Sequence, residues 1–475
     1  MPVTPVTMKT LSGGSVEVDA AALAKNIKGS MIAPTDSGYD EARTIWNAMI
    51  DKRPGLIVQC AGAADTRACV NFAREHDLLV SVRGAGHNIA GSSLSDGGLL
   101  IDHSLLRSVK VDTGASTVTV EPGATLGDVD AATLNSGLAV PVGINSTTGI
   151  AGLTLGGGFG WLSRKHGLTI DALLSADVVT ADGQLIHASE SEHADLFWAL
   201  RGGGGNFGVV TSFTYRAYPV GPTLYCGLMV HMQSDAPAVL EHWREFVASA
   251  PDELAVWAVL RKAPPLPFLP EEVHGQDVLV LPFVWSGEVD AGEAAIAGMS
   301  GFGNPVGMHI GPMPFADFQQ AFDPLLTPGA RNYWKSHNFT SMSDRTIKTV
   351  LEYGATLPSD HSEIFIGQLG GAINRIPADA TAYAHRDVEF VLNVHTRWED
   401  ASEDEKCVKW AREFFDASAA DATGGVYVNF MPEDETDRTG SAFGPNMDRL
   451  IQVKEKYDPD NRFQRNQNIR PKSKA

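Results

Sequence analysis

Short apolar runs and one amphipathic stretch alternate early in the chain. GLIVQC at 55–60 and LLVSV at 78–82 are continuous enough to be buried strands, and residues 65–76 between them carry apolar side chains at helical spacing. Strand, helix, strand with a connection of this length predicts parallel pairing. Further strands are predicted at 98–102, 109–112 and 117–120, the last alternating Val118 and Val120 with threonines. Thr125 is placed to cap a short helix that Gly137 stops. A helix over 192–200 then leads through Gly202–Gly205 into a strand at 209–215. Gly203 to Gly208 matches G-x-G-x-x-G, but a helix precedes it and a strand follows, the reverse of a dinucleotide fingerprint.

Past Pro219 glycines thin out and longer amphipathic helices appear, with an internal echo. LMVH at 228–231 is followed by a helix containing WREF at 243–246, and LNVH at 392–395 by one containing WAREF at 410–414. Val239, Leu240, Trp243, Phe246 and Val247 make one apolar stripe, and Ser402 with Glu405 reads as a capping box for the second helix. Two such halves predict a mainly antiparallel sheet with covering helices, and the chain as a whole an α+β protein.

Two glycine segments interrupt these patterns. RGAGHN, Arg83 to Asn88, leaves the 78–82 strand and carries a histidine at its tip; between Pro141 and Leu168 eight glycines fall among small and apolar residues. Each glycine costs backbone entropy, so such density suits close approach to a large flat ligand, and backbone N–H groups can close on a pyrophosphate. That suits a flavin. For the first segment alone, a tight turn with one polar residue fits equally well.

Length and charge narrow the classes. At 475 residues and 43% hydrophobic the chain can bury two cores, and a net charge of −20 opposes a nucleic-acid partner. Cys60, Cys69, Cys226 and Cys407 lack C-x-x-C spacing and read as buried thiols. With no basic-then-apolar amino-terminal run and no apolar run near the ~18 residues of a membrane span, a cytoplasmic protein without membrane contact is expected. His103, His166, His187 and His193 show no ligating spacing and H-E-x-x-H is absent, so no metal is expected; G-x-S-x-G and the P-loop are absent too.

With ADVVTADG (176–183), DLFWALRGGGGNFG (195–208) and YDPDNRFQRNQNI near the end, the glycine segments give a chain that resembles the FAD-linked oxidases of the berberine bridge enzyme type, within the vanillyl-alcohol oxidase superfamily. The resemblance spans about 40–220 and 425–472. It implies an FAD-binding domain at 1–218, an inserted substrate domain at 219–424 and a return to the flavin domain at 425–475. It implies flavin contacts from Arg83, Gly84, Ala85, Gly86, His87, Asn88, Asn145, Thr147, Thr148, Gly149, Gly152, Gly157, Gly158, Gly160, Val179, Asn466 and Asn468. Family members attach the flavin's 8α-methyl to the histidine matching His87; Asn145 stands where many relatives carry a second attaching cysteine, so single covalent attachment is expected. Thr148 holds the position that controls oxygen access, and its small side chain resembles the open, oxidase version. A loop histidine bonded to its neighbours and a plain turn threonine are the alternative readings of His87 and Thr148.

The base is less legible. Many relatives carry Y-x-N-Y, where this chain has YVNF at 427–430, and the phenyl ring of Phe430 cannot accept a proton. In an extended segment Tyr427 would face away from Phe430. Other candidates are Tyr333, His337, Gln368, His395 and Arg397, each also readable as structural. An amine deprotonates in solution and needs no base, so small-molecule amines and alcohols both stay open as substrates. The expected activity is hydride abstraction from a hydroxyl- or amine-bearing carbon with return of electrons to O2; a dehydrogenase with another acceptor and a non-catalytic flavoprotein are the alternatives.

Overall fold

The computed structural model describes residues 5–472. In its first sheet Leu99–Asp102 lies between Leu56–Gln59 and Val80–Arg83, parallel to both, with Ser30–Ile32 antiparallel at one edge. The LLID strand is buried along its whole length, as a parallel strand covered on both faces must be. Helix Ala63–Glu75 makes the connection and buries Cys69, Val70, Phe72 and Ala73 against Leu56, Val58, Leu99 and Ile101. The carboxyl ends of these strands open toward the glycine loop at Arg83.

A second sheet is antiparallel throughout, in the order Leu185–Ser189, Leu173–Val179, Val209–Arg216, Thr117–Val120, Val109–Asp112. Thr125 caps helix Leu126–Leu134 in a reciprocal box with Asp128, and Gly137 turns the chain after it at φ +66°.

The eight strands of the third sheet all fall between Thr223 and Trp398 and all pair antiparallel. Six of them run from near one edge to the other as Thr223–Met232, Asp277–Trp285, Ala258–Lys262, Glu363–Gln368, Phe390–Trp398, Arg331–Phe339, an order symmetric about its middle. Each half is strand, helix, two strands, helix: the first uses Ala236–Ala248 and Gly292–Ser300, the second Asp344–Gly354 and Asp404–Ser418. The repeat therefore exists, but not between the segments the sequence echo matched. Thr223–Met232 corresponds to Arg331–Phe339, and LNVH lies in the counterpart of Asp277–Trp285. A buried strand followed by an amphipathic helix looks alike at either place in the unit. The helix after LNVH also starts differently from expectation: Asp404–Ser418 has no side-chain cap, and a 3-10 turn, Ala401–Glu403, precedes it, with the Asp400 carboxylate accepting from the Ser402 N–H at 2.8 Å.

Helices cover one face of this sheet around Trp243, Phe283, Trp398 and Phe414. The other face packs on the second glycine segment, where Phe159, Trp161 and Leu168 join Trp257, Phe365, Val391 and Tyr427. Within that segment Gly160 lets the chain lie close against its own earlier part, because a Cβ there would overlap the carbonyl oxygen of Val142. None of the helices described is long and apolar enough to cross a membrane.

Candidate active site

A cavity of about 350 Å³ opens between the glycine segments and the third sheet. Gly84 to Asn88, Asn145, Thr148, Gly149 and Gly152 form one wall, Gly204, Gly205 and Gly208 continue it, and Asn466 also lines the cavity. At Gly152 and Gly205 nothing lies within 4 Å of where a Cβ would stand, so side chains there would project into open space rather than into the protein. Asn466 holds the Gly205 and Phe463 carbonyls with its amide N–H groups and leaves its buried Oδ1 unpartnered. A long glycine-walled slot with an orphaned acceptor in its lining fits a dinucleotide such as FAD.

The remaining residues expected at the flavin stand behind this wall. Arg83 grips the Asp102 carboxylate through Nε at 3.1 Å and Nη2 at 2.6 Å, anchoring the loop to the neighbouring strand. Thr147 reaches His87. Gly157, Gly158 and Gly160 pack against Tyr383, Thr169 and Val142. Val179 lies in the core, and Val209 and Val210 of the adjacent strand line the cavity. Asn468 is outside the lining, with a buried unpartnered Oδ1.

His87 Nε2 lies 2.8 Å from Thr147 Oγ1, which lies 2.7 Å from Asn145 Oδ1. Asn145 Oδ1 can only accept, so the threonine hydroxyl donates to it and in turn accepts from His87 Nε2–H. This selects the tautomer that leaves Nδ1 with the lone pair. Trp46 stacks on the imidazole at 4.7 Å, and burial, with the Arg397 charge adding to it, pushes its pKa down to about 3. The ring is neutral at any ordinary pH.

The opposite wall comes from alternate residues of the third sheet: Trp334, Glu363, Phe365, Asn393 and His395, with Phe159, Trp257 and Phe430 beside them. Of the residues considered for proton transfer, His395 and Tyr427 reach the cavity. Tyr333 and His337 do not. They are odd-numbered in a strand whose even-numbered Trp334 faces inward, so they point to the helices. The Tyr333 hydroxyl donates to Asp434 at 2.8 Å, and His337 Nε2 is 2.8 Å from the Phe415 carbonyl. Gln368 is held by the Val256 N–H and the Val247 carbonyl, and Arg397 donates to Thr327 with its guanidinium over Trp46.

Tyr427 and Phe430 contradict the extended reading. Val428–Phe430 is one turn of 3-10 helix, closed by Phe430 N–H to the Tyr427 carbonyl at 2.9 Å, and it brings the two rings to 4.9 Å on the same side. The Tyr427 oxygen accepts from Gly158 N–H at 3.0 Å and from the Asn429 amide at 3.1 Å, and burial pushes its pKa up to about 12. It is a clamp on the glycine segment. Glu363, Trp334 and Asn393 escaped sequence reasoning because only the inter-strand register places them here.

Comparison with known proteins agrees with this geometry. Residues 54–189 match the FAD binding domain family, and residues 426–470 the family described as berberine and berberine like. An FAD-linked oxidoreductase of Bacillus subtilis is 31% identical, covering 94% of this chain and 97% of that protein. (R)-6-hydroxynicotine oxidase of Paenarthrobacter nicotinovorans is also 31% identical, with coverage of 94% and 97%. The solved 6-hydroxy-D-nicotine oxidase of Arthrobacter nicotinovorans superposes with a TM-score of 0.84 at 28% identity, covering 93% of this chain and 98% of that one. Fold and cavity thus define an FAD-dependent oxidoreductase. The chain belongs to the FAD-linked oxidoreductases of the berberine bridge enzyme type.

Proposed function

We propose that this protein is an oxidase carrying FAD on a single bond to His87, and that it oxidises a small molecule at a carbon bearing an amine or hydroxyl, with O2 taking up the electrons. The observation that carries the reading is the His87–Thr147–Asn145 chain, which presents a neutral imidazole with a free Nδ1 on the glycine wall. Bound in the slot, FAD supplies the hydride acceptor. Gly84 to Asn88, Gly149 and Gly152 would hold it, Arg83 fixes their loop, and Asn466 would reach it with its unpartnered Oδ1. Asn145, where relatives have an attaching cysteine, is committed to Thr147, which supports a single link.

On the facing wall Phe159, Trp257, Trp334, Phe365 and Phe430 exclude water and offer apolar surface, and Asn393 and His395 supply the polar contacts. An aromatic wall suits a ring-bearing amine, in keeping with the likeness to 6-hydroxynicotine oxidase. The half-buried Thr148 on the glycine wall supports access for oxygen. We assign residues 1–218 and 425–475 to the flavin and 219–424 to the substrate.

The test is direct. Acid-precipitated protein should stay yellow, with the mass of FAD on the peptide containing His87. An anaerobic panel of 6-hydroxynicotine, chitooligosaccharides, xylobiose, simple alcohols and cyclic amines should include a compound that bleaches the flavin, and air should restore the colour. Bleaching without reoxidation would make it a dehydrogenase; no bleaching by any of these compounds would count against the proposed oxidase.

A further inference from the structure

Four residues form one cross-strand row on the cavity face of the third sheet. Register places Arg261 opposite Glu363, Glu363 opposite His395, and His395 opposite Trp334. Cross-strand neighbours on one face stand within side-chain reach, and the contacts follow. Arg261 Nη1 is 2.8 Å from Glu363 Oε2, and His395 Nδ1 is 2.9 Å from Glu363 Oε1. His395 Nε2 is buried, has no hydrogen-bond partner, and belongs to a side chain lining the cavity.

We propose that His395 is the proton acceptor of the reaction, standing in for the phenol missing at Phe430, and that Glu363 and Arg261 are its positioning residues. The inference rests on the oxidase reading above. A carboxylate can only accept, so Glu363 takes the Nδ1–H of His395, and the tautomer this selects puts the lone pair on Nε2. Glu363 is ionised: burial would raise its pKa, but the Arg261 charge and the His395 hydrogen bond bring it down to about 2. Base, orienter and a third group fixing the orienter is the arrangement of a catalytic triad, here aimed at substrate rather than at a protein nucleophile. Trp334 packs edge-on to the His395 ring at 4.5 Å and holds its plane.

With an alcohol, the O–H bond would break as an N–H bond forms at Nε2, and FAD held on the glycine wall would supply the acceptor for the carbon's hydride pair. The carbonyl product leaves, and the proton held as imidazolium beside Glu363 returns to solvent. An ammonium substrate would lose its proton to Nε2 in the same way before hydride transfer. The charged groups around this imidazole are Glu363 from the neighbouring strand, Arg261 beyond it, and Arg397 two residues along its own strand; Trp334, Asn393 and Phe430 are uncharged.

The test uses holoprotein and two readouts. Diethyl pyrocarbonate attacks only unprotonated imidazole, so peptide mass spectrometry at varied pH should find His395 labelled, with a pH dependence that changes in Glu363→Gln. Glu363→Gln leaves Arg261 unpaired; should it unfold, the double variant with Arg261→Met serves instead. Absent labelling, or an inflection unmoved by loss of the carboxylate, overturns the proposal. With any panel compound that bleaches the flavin, His395→Gln should slow reduction roughly 10²–10³-fold while substrate affinity changes much less, and should abolish a pH inflection that otherwise stays fixed across substrates. An unchanged reduction rate also overturns it. A panel without any bleaching strikes the oxidase reading, whereas failed labelling strikes this proposal.

Discussion

His87 Nε2 donates to Thr147 Oγ1 across 2.8 Å, and that one hydrogen bond decides which imidazole nitrogen keeps its lone pair. Thr147→Val keeps the shape and removes the acceptor. Position 147 is solvent-exposed, so water can take the Nε2–H instead, but the fixed preference is lost and the other tautomer gains population. We expect folded protein in which a several-fold larger share of FAD is released by acid precipitation. His87→Ala should release all of it while still binding FAD loosely, because the glycine wall is intact. Equal covalent content in Thr147→Val and the parent would show that the tautomer does not govern attachment.

Thr148 lines the cavity in the turn between Asn145 and Gly149. Leucine there adds bulk in a close-packed wall, and neighbours that cannot move must leave it in the free space. Stopped-flow mixing of reduced protein with O2 should show reoxidation slowed at least tenfold in Thr148→Leu, with the anaerobic reduction rate nearly unchanged. Matching oxygen traces would remove Thr148 from the gating role.

Phe430 stands edge-on to Trp334 at 5.6 Å and to Tyr427 at 4.9 Å. A phenol at this position has aromatic edges around it. If His395 accepts the proton, Phe430→Tyr should leave the anaerobic reduction rate flat or lower, since it adds a hydroxyl that must be desolvated. A gain of tenfold or more, with a new inflection in the pH profile, would move the base to position 430.

What the sequence disclosed follows from range. The parallel unit at 55–102, the helix cap at Thr125 and the His87 loop are local, each readable within a few dozen residues. The facing wall is not local. Arg261, Glu363 and His395 meet only through pairings between strands distant in sequence, and whether Tyr333 or Trp334 faces the cavity is a matter of parity that a one-residue slip would reverse. YVNF misled for a related reason: taken as extended, it sets Tyr427 and Phe430 on opposite faces, whereas the Phe430 N–H closes a tight turn onto Tyr427. Family resemblance supplied the expected flavin contacts, and the wall proposed to meet the substrate is where this chain departs from the expected motif.

Asp130 gives a stability signal that owes nothing to catalysis. It is buried in helix Leu126–Leu134, its Oδ2 accepts from the Gln319 amide at 3.0 Å, and neither its Oδ1 nor Gln319 Oε1 has a partner. Burial pushes its pKa up to about 7, against the lowering effect of that hydrogen bond. A folded-state pKa above the unfolded one means the folded protein binds the proton more tightly. The stability this group contributes is complete below about pH 4 and is lost as pH rises through 7. Protonated, the acid keeps its bond from the Gln319 amide without a charge to desolvate, and asparagine offers the same acceptor, uncharged. We therefore expect Asp130→Asn to match the parent near pH 4 and to exceed it increasingly up to about pH 7, by roughly 2–4 kcal/mol, with no further gain above. Denaturant unfolding at a series of pH values, on protein with equal flavin content, reads this directly. A constant difference across pH 4–8 would mean that Asp130 does not change protonation on folding.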